Sequence, residues 1–304
     1  MNLDAESLQQ TFGERVRFAE PLSRHTSFRI GGPADVWVEV ADAEEIRRVQ
    51  AVANAAGFPL FVLGGGTNVL VSDRGVRGIV LHLGRQFAGV EWRSNGRGHH
   101  VRAGAAVPFK RLVTETIARD LVGLEFAEGI PGTLGGGLLM NAGAFGGEIA
   151  EVIESIEGVD AGGARQNVPR GALRFNYRRF DLLPGFIVTH LEFFLHPGER
   201  AAIRARRDEA KHRREQHQPL GYANAGSVFK NPAGNFAGRL IEEVGLKAQR
   251  CGAAMISEQH ANFIVNLGGA TAADVRALME EAARRVWEMK GVRLEPEIRL
   301  VGEW

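Results

Sequence analysis

Two stretches of this chain are too rich in glycine to pack as ordinary helix or strand: LGGGTNVLV, Leu63 to Val71, and GIPGTLGGGLLMNAGAFGGE, Gly129 to Glu148. Glycine supplies 39 of 304 residues, about twice its usual ~7% share, and these two places hold much of the excess. Clustered glycine means backbone at dihedrals other residues avoid, or backbone approached closely by a second group. The first stretch departs from the G-x-G-x-x-G dinucleotide fingerprint. Gly64 and Gly66 supply the first pair, but Val69 stands third, and the β-branched sequence after it reads as strand rather than helix. It is expected to join strand to strand, either as a tight hairpin or as a nest of N–H groups facing a pyrophosphate. The second stretch, with Met140, Asn141 and Phe145 among its glycines, exceeds what a hairpin needs.

Around these loops the chain alternates strand and helix patterns. Ala34 to Val40 is β-rich, and Asp42-Ala43-Glu44-Glu45 resembles a capping box opening a helix with Ile46, Val49, Val52 and Ala53 on one face. Gly57 suits its end. FPLFVLG, TNVLV and GIVLHLG read as strands, closing a small α+β unit near Gly84. EWRS, HHVRAG, VIESIEGVD and FIVTHLEFFL continue the strands to about Leu195, with a helix from Pro108 to Asp120 between them. Glu199 to Gln216 is a charged helix former whose acidic residues interleave with its basic ones, which favours a solvated face. A nucleic-acid surface would want aromatic residues among those charges. A short helix at AGRLIEEVGL, a strand at NFIVNLG, a helix from Ala272 to Lys290 and a strand broken by Pro296 complete the pattern. In that last helix Val275, Leu278, Met279, Ala282, Val286 and Met289 share one side.

Formal net charge is +1, so no global field favours nucleic acid or an anionic membrane. One cysteine, Cys251, excludes an intrachain disulfide framework and a multi-cysteine metal site, so no metal is expected and a reducing compartment fits. The N-terminal stretch lacks the apolar core of a secretory signal, and no run reaches the ~18 apolar residues of a spanning helix. A soluble, cytoplasmic protein is expected. Two small-residue loops, each following apolar β-like sequence, suit a long ligand with a diphosphate and a broad ring, and FAD is such a ligand.

HTSFRIGGPAD, GGGTNVLV, GIPGTLGGG…MNAGAFGGE, NYR, NAGSVFKNP and LEPE occur in this order from about His25 to Gly302. In this series the chain resembles the UDP-N-acetylenolpyruvoylglucosamine reductase family. The resemblance implies an α+β fold: a two-lobed FAD-binding module of the vanillyl-alcohol-oxidase type over residues 1–84 and 85–198, then a C-terminal α+β substrate-binding domain over 199–296. Residues 297–304 would return as a strand to the FAD module. It implies FAD, NADPH as reductant, and UDP-N-acetylglucosamine enolpyruvate as substrate, on a chain expected to be a monomer; with no histidine in the glycine loops, the flavin is expected to be non-covalent. Gly64, Gly65, Gly66, Thr67, Asn68, Gly132, Thr133, Gly135, Gly136, Asn141, Gly143 and Ala144 would hold the cofactor.

Hydride addition to C3 of an enolpyruvyl ether leaves negative charge on C2 and its carboxylate, so the reaction needs a nearby cation and a proton source. The resemblance assigns the proton donor to Ser227, the cation to Arg178 and a hydrogen-bonding carboxyl to Glu297. Tyr177, Lys230 and Asn231 would contact the substrate. Arg179 beside Arg178 departs from the family pattern. Glu295 and Glu297 would lie on one side of a regular strand, so alternation does not choose between them. Gln218-Pro219 and His260–Asn262 also recur and would shape the site. The chain resembles the subtype without an extra tyrosine loop. An FAD-linked alcohol oxidase or a non-catalytic nucleotide-binding homologue would share the glycine loops but leave the NAGSVFKNP and LEPE residues without a role.

Overall fold

The computed structural model describes residues 5–304. Its buried apolar side chains sort into two separate clusters, and main-chain contacts divide the chain into two units along the same lines. The first takes the chain up to Phe18, Val36–Gly65 and Gly78–Arg213; the second takes Ala19–Asp35, Gly66–Arg77 and Arg214–Trp304. These boundaries differ from the segments 1–84, 85–198, 199–296 and 297–304. Each core draws on segments far apart in sequence, and local patterning does not say which core a short apolar run joins.

In the first unit, strands run side by side in the order Arg165–Pro169, Ile153–Val159, Ile187–Pro197, His99–Gly104, Val90–Ser94, each antiparallel to its neighbour. Period-two alternation turns Leu191, Phe193 and Leu195 of the long strand inward, opposite Ala103 and Val101. Helix Phe109–Ala118 adds Phe109, Leu112 and Val113 to the same core. Phe193 is fully buried, so its truncation to alanine would cost about 3–5 kcal/mol. Strand Leu60–Val62 pairs parallel to Ile79–Leu81, and helix Ala43–Ala56 buries Ile46, Val49 and Ala53. That helix is capped as its sequence suggests at Asp42, which accepts from the Glu45 N–H, and stops at Gly57 with φ +66°. The reciprocal half of the box is replaced: the Glu45 carboxylate takes Arg15 and the Ala41 N–H.

The second unit packs Phe28, Ile30 and Leu70 from the first quarter of the chain with Val228, Phe229, Leu240, Ile241, Val275, Leu278 and Val286. Arg250–Cys251, Ala254–Ile256 and Ile264–Asn266 form an antiparallel sheet. Arg299–Val301 pairs parallel to Val69–Val71. Helix Ala272–Lys290 has the bounds its sequence predicts: Thr271 and Asp274 form a capping box, and Gly291 at φ +67° ends it. The Asp73 carboxylate adds two bonds to its first turn, from the Ala272 and Ala273 N–H groups at 2.8 and 3.0 Å. Met289 is 59% exposed, because the apolar stripe leaves the core after Val286. Among the described residues no helix is long and apolar enough to cross a membrane.

Candidate functional site

The first glycine stretch connects strand to strand, as its sequence predicts. The second does not remain loop. Leu134–Leu139 is a short helix with Thr133 as N-cap, and Leu134 and Leu138 are buried beneath it. Burial of two leucines and a capping threonine outweigh three glycines that cost about 1 kcal/mol each in a helix. Gly137 packs closely there, since a Cβ would lie 3.1 Å from the Phe109 ring.

The two stretches meet through main chain. A Cβ on Gly65 would lie 2.8 Å from Gly132 Cα, and one on Gly64 would lie 2.6 Å from the Thr133 hydroxyl. The N–H groups of Gly64, Gly65, Gly132 and Thr133 make no hydrogen bond among the described residues. The helix donors are engaged instead: Leu134 N–H bonds Val107, Gly135 bonds Ala105, and Gly137 bonds Thr133. Four main-chain donors without protein acceptors, at a junction where no side chain fits, form a cradle suited to a diphosphate. The residues present therefore fit FAD at this point, while the Gly135 and Gly136 N–H groups are turned to the Ala105 carbonyl and the Thr133 hydroxyl.

Gly143 and Ala144 pair with Glu148 and Gly147 across a two-residue turn. The turn residues Phe145 and Gly146 have φ of 53° and 91°, which matches a hairpin of the I′ kind. Asn141, 1% exposed, uses its carboxamide on the Asn176 carbonyl and the Ala150 N–H. Its side chain braces this loop. Arg178 stands in the turn between Phe175–Asn176 and Arg179–Phe180 at φ +56°, a conformation of order 1 kcal/mol unfavourable for a residue with a Cβ. Its guanidinium donates to the Gly143 carbonyl at 2.7 Å and lies 5.3 Å from the centre of the half-exposed Tyr177 ring. Arg179 is exposed and pairs with Asp181 at the surface. The structure thus directs Arg178, and not its neighbour, to the second glycine loop.

In the second unit, the segment after Ser227 runs alongside the LEPE segment. Glu297 N–H donates to the Val228 carbonyl at 2.8 Å, Lys230 N–H to the Glu295 carbonyl at 2.9 Å, and Phe229 faces Pro296. Ser227 and Glu297 are both partly buried. Glu295 is the more exposed glutamate, and its carboxylate pairs with the Lys230 ammonium. The two glutamates that alternation left equivalent are separated by this ion pair. Gly226, at φ +77°, has open space where a Cβ would stand, so the approach beside Ser227 is uncrowded.

Two asparagines expected to contact ligands also bond main-chain groups. The Asn68 amide donates to the Glu297 carbonyl at 3.1 Å while its own carbonyl accepts from Arg299 N–H at 3.0 Å. The Asn231 side chain accepts from the Ala237 N–H at 3.0 Å, ahead of helix Ala237–Glu243. Sequence reading also passed over Ser27, inside the quoted HTSFRIGG. It bonds the Gly66 carbonyl through its N–H at 3.0 Å and the Asn224 carbonyl through its hydroxyl at 2.7 Å.

Residues 218–301 match the model of the UDP-N-acetylenolpyruvoylglucosamine reductase C-terminal domain, and residues 34–168 match that of an FAD binding domain. The chain is 48% identical over 289 residues to UDP-N-acetylenolpyruvoylglucosamine reductase 2 of Symbiobacterium thermophilum, covering 95% of this chain and 92% of that one. It is 46% identical over 299 residues to the UDP-N-acetylenolpyruvoylglucosamine reductase of Anaeromyxobacter dehalogenans, covering 98% and 89%. The crystal structure of the reductase from Thermus caldophilus superposes with a TM-score of 0.81 at 38% identity, covering 94% of this chain and 99% of that one. With matches of this identity along almost its whole length, the chain belongs to the UDP-N-acetylenolpyruvoylglucosamine reductase family.

Proposed function

We propose that this chain reduces UDP-N-acetylglucosamine enolpyruvate to UDP-N-acetylmuramate with NADPH, in the cytoplasmic synthesis of peptidoglycan precursors. The observation that carries this reading is the pairing of the Ser227 and Glu297 segments, which sets a hydroxyl-bearing and a carboxyl-bearing main chain side by side. Gly64–Gly65 and Gly132–Thr133 would hold FAD non-covalently, and the bound flavin would supply hydride transfer from NADPH to C3 of the enolpyruvyl ether. The chain's own residues manage the charge that this addition creates. Arg178 is a permanent cation suited to the developing enolate, and its bond to Gly143 fixes its reach. Ser227 delivers the proton to C2. Glu297, protonated, donates a hydrogen bond to the same charge. Lys230 and Asn231 contribute to the nucleotide diphosphate, with Tyr177 beside Arg178.

Stopped-flow absorbance of the flavin-loaded protein separates the two half-reactions. Ser227→Ala is expected to keep flavin reduction by NADPH and to slow reoxidation by the enolpyruvyl nucleotide about 10³-fold, equivalent to about 4 kcal/mol of barrier. Equal slowing of both half-reactions would show that Ser227 is structural.

A further inference from the structure

The proton attributed to Ser227 must leave a hydroxyl whose position depends on the main chain around it, and one residue braces that main chain. Asn262 is 3% exposed and makes three bonds to the residues that follow Ser227. Its main-chain carbonyl accepts from Val228 N–H at 2.8 Å, while its side-chain Oδ1 accepts from Phe229 N–H at 2.9 Å and its Nδ2 donates to the Phe229 carbonyl at 2.8 Å. The Val228 N–H belongs to the peptide unit formed with the carbonyl of Ser227, so the first bond fixes the chain immediately after the serine. The other two form a pair like that of a neighbouring strand. They occupy the edge of Phe229 turned away from the LEPE segment, whose facing residue, Pro296, has no N–H. On the other edge the Val228 carbonyl receives Glu297 N–H. Phe229 is itself 2% exposed, so no water replaces the amide if it is lost.

Asn262 is held in turn. Its N–H donates to His260 Nδ1 at 3.1 Å, which requires that nitrogen to be unprotonated. The Ser257 hydroxyl accepts from the Gln259 and His260 N–H groups, and the His260 ring lies where a Cβ on Gly238 would come within 2.8 Å. Before the serine, Gly226 N–H is bonded to Asn224 Oδ1 at 2.9 Å.

We propose that Asn262 is a positioning residue for proton delivery: its carboxamide holds the two polar groups of Phe229, and so keeps its main-chain carbonyl on the Ser227–Val228 peptide and the hydroxyl on the line of transfer. The proposal rests on the reading of Ser227 as proton donor. Because Asn262 acts through the serine, its loss is expected to be absent where the serine is already gone.

The test uses the flavin-loaded protein as wild type, Asn262→Asp, Asn262→Ser, Ser227→Ala and the Asn262→Asp/Ser227→Ala double variant. Flavin reduction by NADPH is expected to stay within about twofold of wild type, while reoxidation falls about 10- to 100-fold, the scale of a displacement near 1 Å. The double variant should reoxidise no more slowly than Ser227→Ala alone. In Asn262→Asp the rate should recover as pH falls, because a protonated carboxyl regains the donor to Phe229. Amide exchange in the wild type should show Phe229 strongly protected, a readout independent of turnover. Losses that multiply in the double variant, parallel slowing of both half-reactions, normal reoxidation in both Asn262 variants, or fast exchange at Phe229 would each overturn the proposal. Normal reoxidation in Ser227→Ala would instead remove the proton-donor reading, and the proposal with it.

Discussion

Gly65→Ala tests whether the meeting of the two glycine stretches is what holds the cofactor. The added methyl would lie 2.8 Å from Gly132 Cα and 3.4 Å from both the Gly132 carbonyl carbon and Thr133 N. All three are main chain, so no side chain can rotate away. Restoring carbon contacts to about 3.5 Å separates the stretches by about 0.7 Å at their junction. The N–H groups of Gly64, Gly65, Gly132 and Thr133 then lose their common aim. Losing the equivalent of one hydrogen bond to a charged group costs about 1.5–3 kcal/mol, or about 10- to 150-fold in FAD affinity. Fluorescence titration of the apoprotein with FAD measures this directly. Gly89→Ala is the control, since its Cβ meets nothing within 4 Å and its φ lies outside the left-handed region. Wild-type affinity in Gly65→Ala would refute the reasoning, because the cradle would then tolerate being opened.

Three further outcomes are expected. Arg178→Lys keeps a charge but loses the planar fork that reaches Gly143, and should slow reoxidation about 10²-fold, whereas Arg179→Ala at the surface should leave it unchanged; stopped-flow rates decide between them. Burial, followed by the nearby His217, holds the His260 pKa below the ordinary histidine value. The unfolded chain therefore binds this proton first, so this contribution to stability is full above about pH 6.5 and is lost as pH falls toward the folded pKa. Denaturation between pH 7 and 5 should show a shallower pH slope in His260→Gln, by at most about 1.4 kcal/mol per pH unit. Thr271→Ala removes the hydroxyl that accepts from Asp274 N–H at 3.0 Å and should cost about 1 kcal/mol in urea unfolding.

Elements whose signals are local were legible in the sequence. Helix Ala272–Lys290 carries its own cap, stripe and stop, and its bounds follow from them. Helix Ala5–Phe12 and strand Val16–Pro21 were not read, because their anchors, Leu8, Phe12 and Val16, gain meaning only from a core assembled by distant segments. The helix in the second glycine stretch was hidden for the same reason, its leucines being decisive only once buried. At the site, chemistry-bearing residue types were visible, but hydrogen-bond destinations were not. Asn68, Asn141 and Asn231 all look like ligand donors in sequence, and each also bonds a main-chain group, which sequence does not reveal. Asn262 was expected only to shape the site, and it makes three of the bonds just after Ser227.

The parallel pair formed by Val69–Val71 and Arg299–Val301 has a consequence for biogenesis. During translation the earlier strand emerges long before its partner exists, and Phe28, Ile30 and Leu70 wait with it for a hydrophobic home. Such distant pairing raises contact order and slows closure. A nascent chain therefore exposes a sticky valine-rich edge until Arg299–Val301 has been made, and it is over that interval that a chaperone is most needed.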